Sequence, residues 1–265
     1  TDGDITVTAT AATTNTETGT NNIGIGLSNA AKIISRGATA GDAGNITLTG
    51  TAADADDDNV GILLAGTGVE VTTDQGAVSL TGTGGSNGED TSDNNIGIHI
   101  SAGAAVETAG TGASVGAMVL TGTGGTGFTG NQGILIEDSV TTVNAQDADI
   151  TIVATGGSNG SASSDNNEGF LLQDEATLQT LGAGVNAGNL DITGTGGDGD
   201  SSNTGIRLAD ANTTLRTQAG DITLLGTGQG SGTNNDDIEI ADGELSTNQG
   251  TADIEMTFDA LDLQG

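Results

Sequence analysis

One short phrase recurs eight times along the 265-residue chain: GDITVT from Gly3, GNITLT from Gly44, GAVSLT from Gly76, GAMVLT from Gly116, ADITIV from Ala148, GNLDIT from Gly188, GDITLL from Gly220 and ADIEMT from Ala252. A second phrase follows each of the first seven: IGIGL, VGILL, IGIHI, QGILI, EGFLL, TGIRL and DDIEI. Its glycine falls at positions 24, 61, 97, 133, 169 and 205, and Asp237 takes that place in the seventh copy. A fixed period of roughly 20–50 residues marks a solenoid, propeller or array, in which each unit buries its apolar face only by stacking on the next.

The starts of the first phrase are spaced 41, 32, 40, 32, 40, 32 and 32 residues apart, so long and short units alternate. The extra length falls in turns such as 82–95 and 109–115, while the phrases keep their size. Stacked coils behave this way, because a strand must stay in register with its neighbours whereas a loop can bulge into solvent. Each phrase also alternates with the period of two expected of a strand. In the first phrase, pairs such as Ile46/Leu48, Val78/Leu80 and Ile150/Ile152 share a face. In the second phrase, Ile62/Leu64, Ile98/Ile100 and Phe170/Leu172 do the same. A third apolar position, at Ile33, Val71, Val106, Val143, Leu178, Leu215 and Leu245, follows each second phrase. The sequence therefore predicts one all-β domain over residues 1–265, a parallel β-helix (β-solenoid). It should have about eight coils of alternating ~40 and ~32 residues with three strands per coil.

An Asn stands two residues before the second-phrase glycine in every copy: Asn22, Asn59, Asn95, Asn131, Asn167, Asn203 and Asn235. Asn tolerates a left-handed turn, and stacked amides can each donate to the next, so a buried structural ladder is expected at these positions. The recurrent glycine is expected to supply a positive φ or a close backbone approach.

Composition limits function more than it limits fold. The formal charge is −32, from 36 Asp/Glu against 4 Lys/Arg, which is the wrong sign for nucleic-acid phosphates or an anionic membrane. With 47 Gly, 3 Phe and no Cys, Pro, Trp or Tyr, disulfide scaffolds, thiolate metal sites and aromatic sugar platforms are excluded. No apolar run approaches the ~20 residues that span a bilayer, so no membrane insertion is expected. High charge with few aromatics is also a signature of disorder, but the strict periodicity argues against that reading.

The GNITLTGTGG-type phrases, the Asn column, the acidic Gly/Thr/Asn/Asp-rich composition and the ending FDALDLQG resemble the filamentous-haemagglutinin and autotransporter-passenger type of right-handed parallel β-helix, found in large bacterial surface and secreted exoproteins, and the right-handed winding is what that resemblance implies. The resemblance spans essentially the whole chain. It implies an extracellular or cell-surface location and secretion without cysteines, and it supplies no receptor-binding motif.

The candidate chemistry is sparse. Parallel β-helices include polysaccharide lyases, but the cations here are Lys32 and Arg36 in the first coil and Arg207 and Arg216 in the sixth, too far apart to converge. His99 lies between Ile98 and Ile100, hence on the outward face, with no nucleophile patterned beside it. No enzyme activity and no required cofactor are therefore expected. Calcium is a candidate ligand at Asp54, Asp56 and Asp58, whose alternation is oxygen-rich although it lacks EF-hand spacing; the alternative is a solvated acidic rim. Outward positions of the first phrase are rich in Ser and Thr, from Thr6 and Thr8 to Thr223 and Thr257, broken by Asp191 and Glu255, an arrangement similar to ice-binding faces.

The functional expectation is a structural rod that forms a fibre or adhesin stalk, with copies of itself or flanking repeats joined end to end. The alternative is an adhesin module that binds surface glycans or another surface through recurrent loops such as 83–95 and 155–167. Gly3 is expected to open a strand almost at once, which on this reading leaves no N-terminal cap and leads to the expectation that the ends pair. Phe258, Leu261 and Leu263 form either a truncated further coil or an apolar lid.

Overall fold

The computed structural model describes residues 3–11, 21–37, 43–54, 57–85, 93–157, 165–249 and 252–264. Its 23 strands, numbered in chain order, form three parallel sheets, and the described residues contain no helix. The first phrases make β1 (Ile5–Thr10), β4 (Ile46–Thr51), β7 (Val78–Thr83), β10 (Met118–Thr123), β13 (Ile150–Thr155), β16 (Leu190–Thr195), β19 (Ile222–Thr227) and β22 (Ile254–Thr257), each hydrogen-bonded to the next. The second phrases make β2 (Ile23–Leu27), β5 (Val60–Ala65), β8 (Ile98–Ser101), β11 (Ile134–Ile136), β14 (Phe170–Leu172), β17 (Ile206–Ala209) and β20 (Ile238–Ala241), with β23 (Leu261–Gln264) closing that sheet. The third sheet runs through β3 (Lys32–Ser35), β6 (Glu70–Thr73), β9 (Ala105–Thr108), β12 (Thr142–Ala145), β15 (Thr177–Thr180), β18 (Thr214–Thr217) and β21 (Glu244–Thr247).

The all-β parallel solenoid with three strands per coil matches the expectation from sequence, and the coil count is slightly lower. Among the described residues seven coils have all three strands, and the eighth contributes β22 and β23 alone. Leu261 and Leu263 therefore belong to a strand and not to a lid, since they pair with Ile238 and Ile240. The turn between β22 and β23 is only Phe258, Asp259 and Ala260.

Register explains the core. Ile46, Val78 and Met118 stack in one column and Leu48, Leu80 and Leu120 in the next, all fully buried. The second sheet supplies Ile98, Ile134, Phe170 and Ile206 to the same interior, and the third supplies Val71, Val106 and Val143. Each such side chain contributes roughly 1.5–3 kcal/mol by leaving water. At ~4.8 Å per coil the stack is a rod on the order of 40 Å long.

The recurrent glycine acts through close approach. A Cβ at Gly61 would lie 2.3 Å from the Thr83 amide nitrogen and 2.6 Å from the Gly97 carbonyl oxygen, where the second sheet turns against the end of the first. The left-handed residue is one place ahead of the ladder Asn, not the Asn itself: Asn21, Asp58, Asn94, Asn166, Ser202 and Asn234 have φ between 54° and 69°, and Gly130 has 71°. The ladder Asn is thereby freed to aim its amide along the rod axis.

Candidate functional site

The ladder residues come together as one column. The side-chain nitrogen of Asn22 donates to Oδ1 of Asn59 at 3.2 Å, Asn59 to Asn95 at 2.6 Å, and Asn95 to Asn131 at 3.0 Å. Asn131 donates to Asn167 at 2.7 Å, Asn167 to Asn203 at 3.0 Å, and Asn203 to Asn235 at 3.3 Å. From Asn95 to Asn203, each backbone N–H also donates to the side-chain oxygen of the next Asn. Asn59, Asn95, Asn131, Asn167 and Asn203 are fully buried, so every link closes a polar group that would otherwise be stranded in the interior. In the seventh copy Asp237 replaces the glycine, and its carboxylate accepts the backbone amides of Gly228, Asp259 and Ala260. Burial pushes the Asp237 carboxyl up, but the three amides outweigh it and hold it below the usual range.

Of the calcium candidates, Asp56 lies outside the described residues, Asp54 is exposed, and the Asp58 Oδ1 accepts from the Asn94 side chain at 3.1 Å. Among the described residues no group of three or more His, Asp or Glu is arranged to hold a metal ion. Much of the recurrent loops 83–95 and 155–167 also falls outside the described residues. The cations are dispersed and paired. Lys32 bonds Glu70 at 2.6 Å, Arg36 lies 3.8 Å from Asp74, and Arg216 donates to Gln179.

Two outward surfaces stand out. On the first sheet, a third column adds to the two seen in the sequence: Thr10, Thr51, Thr83, Thr123, Thr155, Thr195 and Thr227 follow one another in register, Thr in every strand from β1 to β19. It was legible in the GT and AT pairs ending each phrase, but those pairs read as turn rather than strand.

On the second sheet the outward side of the early coils is apolar. Val60, Ile96, Leu135 and Leu171 form a hydrophobic cluster separate from the core, with Ile23 and Leu63 packed against it. They floor a groove of about 570 Å³. Along one wall, His99 Nε2 is 2.8 Å from Glu137 Oε1, and the Gln173 side-chain nitrogen donates to Glu137 Oε2 at 2.8 Å. These bonds hold the Glu137 carboxyl below its usual range, the His99 bond most strongly, against the opposing effect of burial. Further along the rod, Glu168 is almost wholly buried, accepts from Gln132 at 3.0 Å and lies 3.7 Å from Arg207, which is also 2.9 Å from Glu239. Burial pushes the Glu168 carboxyl up despite the Gln132 bond and the Arg207 charge. No catalytic constellation emerges from these groups. His99 and Glu137 hold one another, and among the described residues no nucleophile is bonded to either.

The fold and its polar ladder define the class: a parallel β-solenoid whose turns are tied by an asparagine column. No family model, curated protein or solved structure matches the chain.

Proposed function

We propose that the protein is a structural rod of an extracellular or bacterial-surface assembly, of the filamentous-haemagglutinin and autotransporter-passenger kind, which continues end to end into a fibre or stalk. The observation that carries this reading is the register: in each of the three sheets every strand is hydrogen-bonded in parallel to the matching strand of the next coil. Core columns that are fully buried in the middle of the rod are half open at its ends, at Ile5 and Val7 on one side and Met256 and Leu261 on the other. Beside them Ile254 and Leu263 are exposed by 40% and 62%. Parallel stacking of this kind can continue from coil to coil, and a second copy stacked in the same register would cover this apolar surface. A contact of this kind is heterologous and does not close.

Electron microscopy of concentrated protein tests it. Rods longer than one chain, with a uniform ~4.8 Å repeat through each junction, are expected, and Leu263→Asp should shorten them. A monodisperse single-chain particle at high concentration would sink the self-assembling form of the proposal.

The Thr columns favour a second reading, adhesion to an ordered surface. Hydroxyl and methyl groups repeat along the first sheet at strand spacing, and from β1 to β13 these outward columns contain no charged side chain. An ice or glycan surface is the partner such a face would suit.

A further inference from the structure

An outward β-solenoid face normally alternates to polar residues, and on the second sheet the early coils break that rule. The outward column that ends as Arg207, Glu239 and Asp262 begins with Gly26 and carries leucine at three of the next four positions, Leu63, Leu135 and Leu171, with His99 between them. The residue just before the recurrent glycine changes likewise, from Ile23, Val60 and Ile96 to Gln132, Glu168, Thr204 and Asp236. The resulting groove crosses the first five coils, four steps of ~4.8 Å, about 19 Å in all. Its volume of about 570 Å³ is in the range of small-molecule sites.

Three observations define the occupant. First, the floor is recessed: Val60, Ile96, Leu135 and Leu171 are 4–6% exposed, so the flat face of a second rod would not reach them, whereas a thin chain would. Second, the polar walls satisfy one another. Asn94 donates to Asp58, and His99 and Gln173 both engage Glu137. Few directed groups are left for sugar hydroxyls or a peptide backbone, and no Phe, Tyr or Trp ring is among the residues that line the groove. Third, the walls carry two carboxylates, Asp58 and Glu137, and the one group there able to become cationic, His99, is already paired. The chain as a whole carries −32. An anionic head group is repelled and a cationic one attracted.

We propose that this groove binds a single-chain cationic amphiphile, its alkyl chain along the Leu/Ile/Val floor and its head group at the acidic wall. The proposal is independent of whether the rod assembles.

Calorimetric titration with dodecyltrimethylammonium, below its micelle concentration and at fixed ionic strength, tests it. One saturable site per chain is expected. Tetramethylammonium, which has the charge without the chain, and dodecanoate, which has the chain with the opposite charge, should each bind at least about tenfold more weakly. Leu135→Gln and the half-exposed Leu63→Gln should weaken binding roughly tenfold or more, from the lost apolar contact. Leu225→Gln, on the first sheet, should leave it unchanged. Leu63→Gln serves as the folded variant if Leu135→Gln proves unstable, with thermal melts checking both. Absence of a saturable site overturns the proposal, and so does equal binding of tetramethylammonium or dodecanoate. Wild-type affinity in folded Leu63→Gln would overturn it too.

Discussion

Val140 has a φ of 64° and is 73% exposed. A left-handed conformation costs an ordinary L residue about 1–2 kcal/mol, and a β-branched side chain is among the worst suited to it. At the same distance past the recurrent glycine, Gly68 and Asn212 have φ of 84° and 69°, so the turn itself demands this geometry and Val140 is the misfit. Val140→Asn is expected to stabilise the protein by about 1 kcal/mol, read as a higher urea midpoint with unchanged slope; no shift would mean that the valine carries no strain. Glu168 is a different case of local cost. Because its folded-state pKa is raised by burial, there is a pH range, between the unfolded and the folded value, in which the folded protein binds more protons at this group than the unfolded chain does. Its contribution is therefore intact below the ordinary glutamate value of about 4.3 and declines as pH rises through the raised folded value. Glu168→Gln keeps an acceptor for Gln132 and removes the charge, so its melting temperature should exceed the parent's at pH 7 and approach it near pH 4. A variant less stable at pH 7 would show that the Arg207 pairing outweighs burial.

Strands are where sequence and structure agree most closely, because a period-two pattern repeated at a fixed interval leaves few ways to pair. The inward columns of all three sheets, down to the weak one at Val71, Val106 and Val143, follow from that rule. Turns were less legible. The NN, DN and SN pairs pointed to a left-handed residue, but both members suit it, and the backbone gives it to the first while the second joins the ladder. The groove is not legible in VGILL or QGILI, because alternation puts Leu63 and Leu135 outward without showing that they join Val60, Ile96 and Leu171 in one recessed strip. The last coil departed from expectation through Asp237, whose carboxylate caps a three-residue turn that has no counterpart among the other described residues. The ladder also carries an element-scale prediction. Asn131→Ala removes the acceptor of both the side-chain and backbone N–H of Asn95 and the side-chain donor to Asn167. Losing these fully buried bonds should cost roughly 1–3 kcal/mol. Asn22→Ala, at the half-buried start of the column with one bond along it, should cost less. Equal melting temperatures for Asn131→Ala and wild type would remove the ladder from any account of stability.

Over the whole molecule, the parallel coils stack like charges on like. Asp93 lies close enough to Asp57 and Asp58 to feel both, and Asp174 feels Asp210, Glu137, Asp138 and Glu175 from its own and adjacent coils. At the last coils Asp236 feels Asp262 and Asp237. In each case burial raises the carboxyl first and the neighbouring charges add to it. The unfolded chain spreads the same −32 over a larger volume, so folding works against its own field. Monovalent salt screens that field, and at 0.15 M the screening length of ~8 Å exceeds the ~4.8 Å between coils, so neighbouring rows still repel. A divalent cation can lie between two rows and attract both, which screening alone does not achieve. Millimolar Ca²⁺ is therefore expected to raise the melting temperature more than NaCl at matched ionic strength, with or without a dedicated site at Asp54, Asp56 and Asp58. Asp54→Asn/Asp56→Asn/Asp58→Asn separates the two origins: an undiminished calcium effect in the triple variant places it on the stacked rows, and its loss places it at that turn. Equal shifts from CaCl₂ and NaCl in the parent would reduce the acidic surface to ordinary screening.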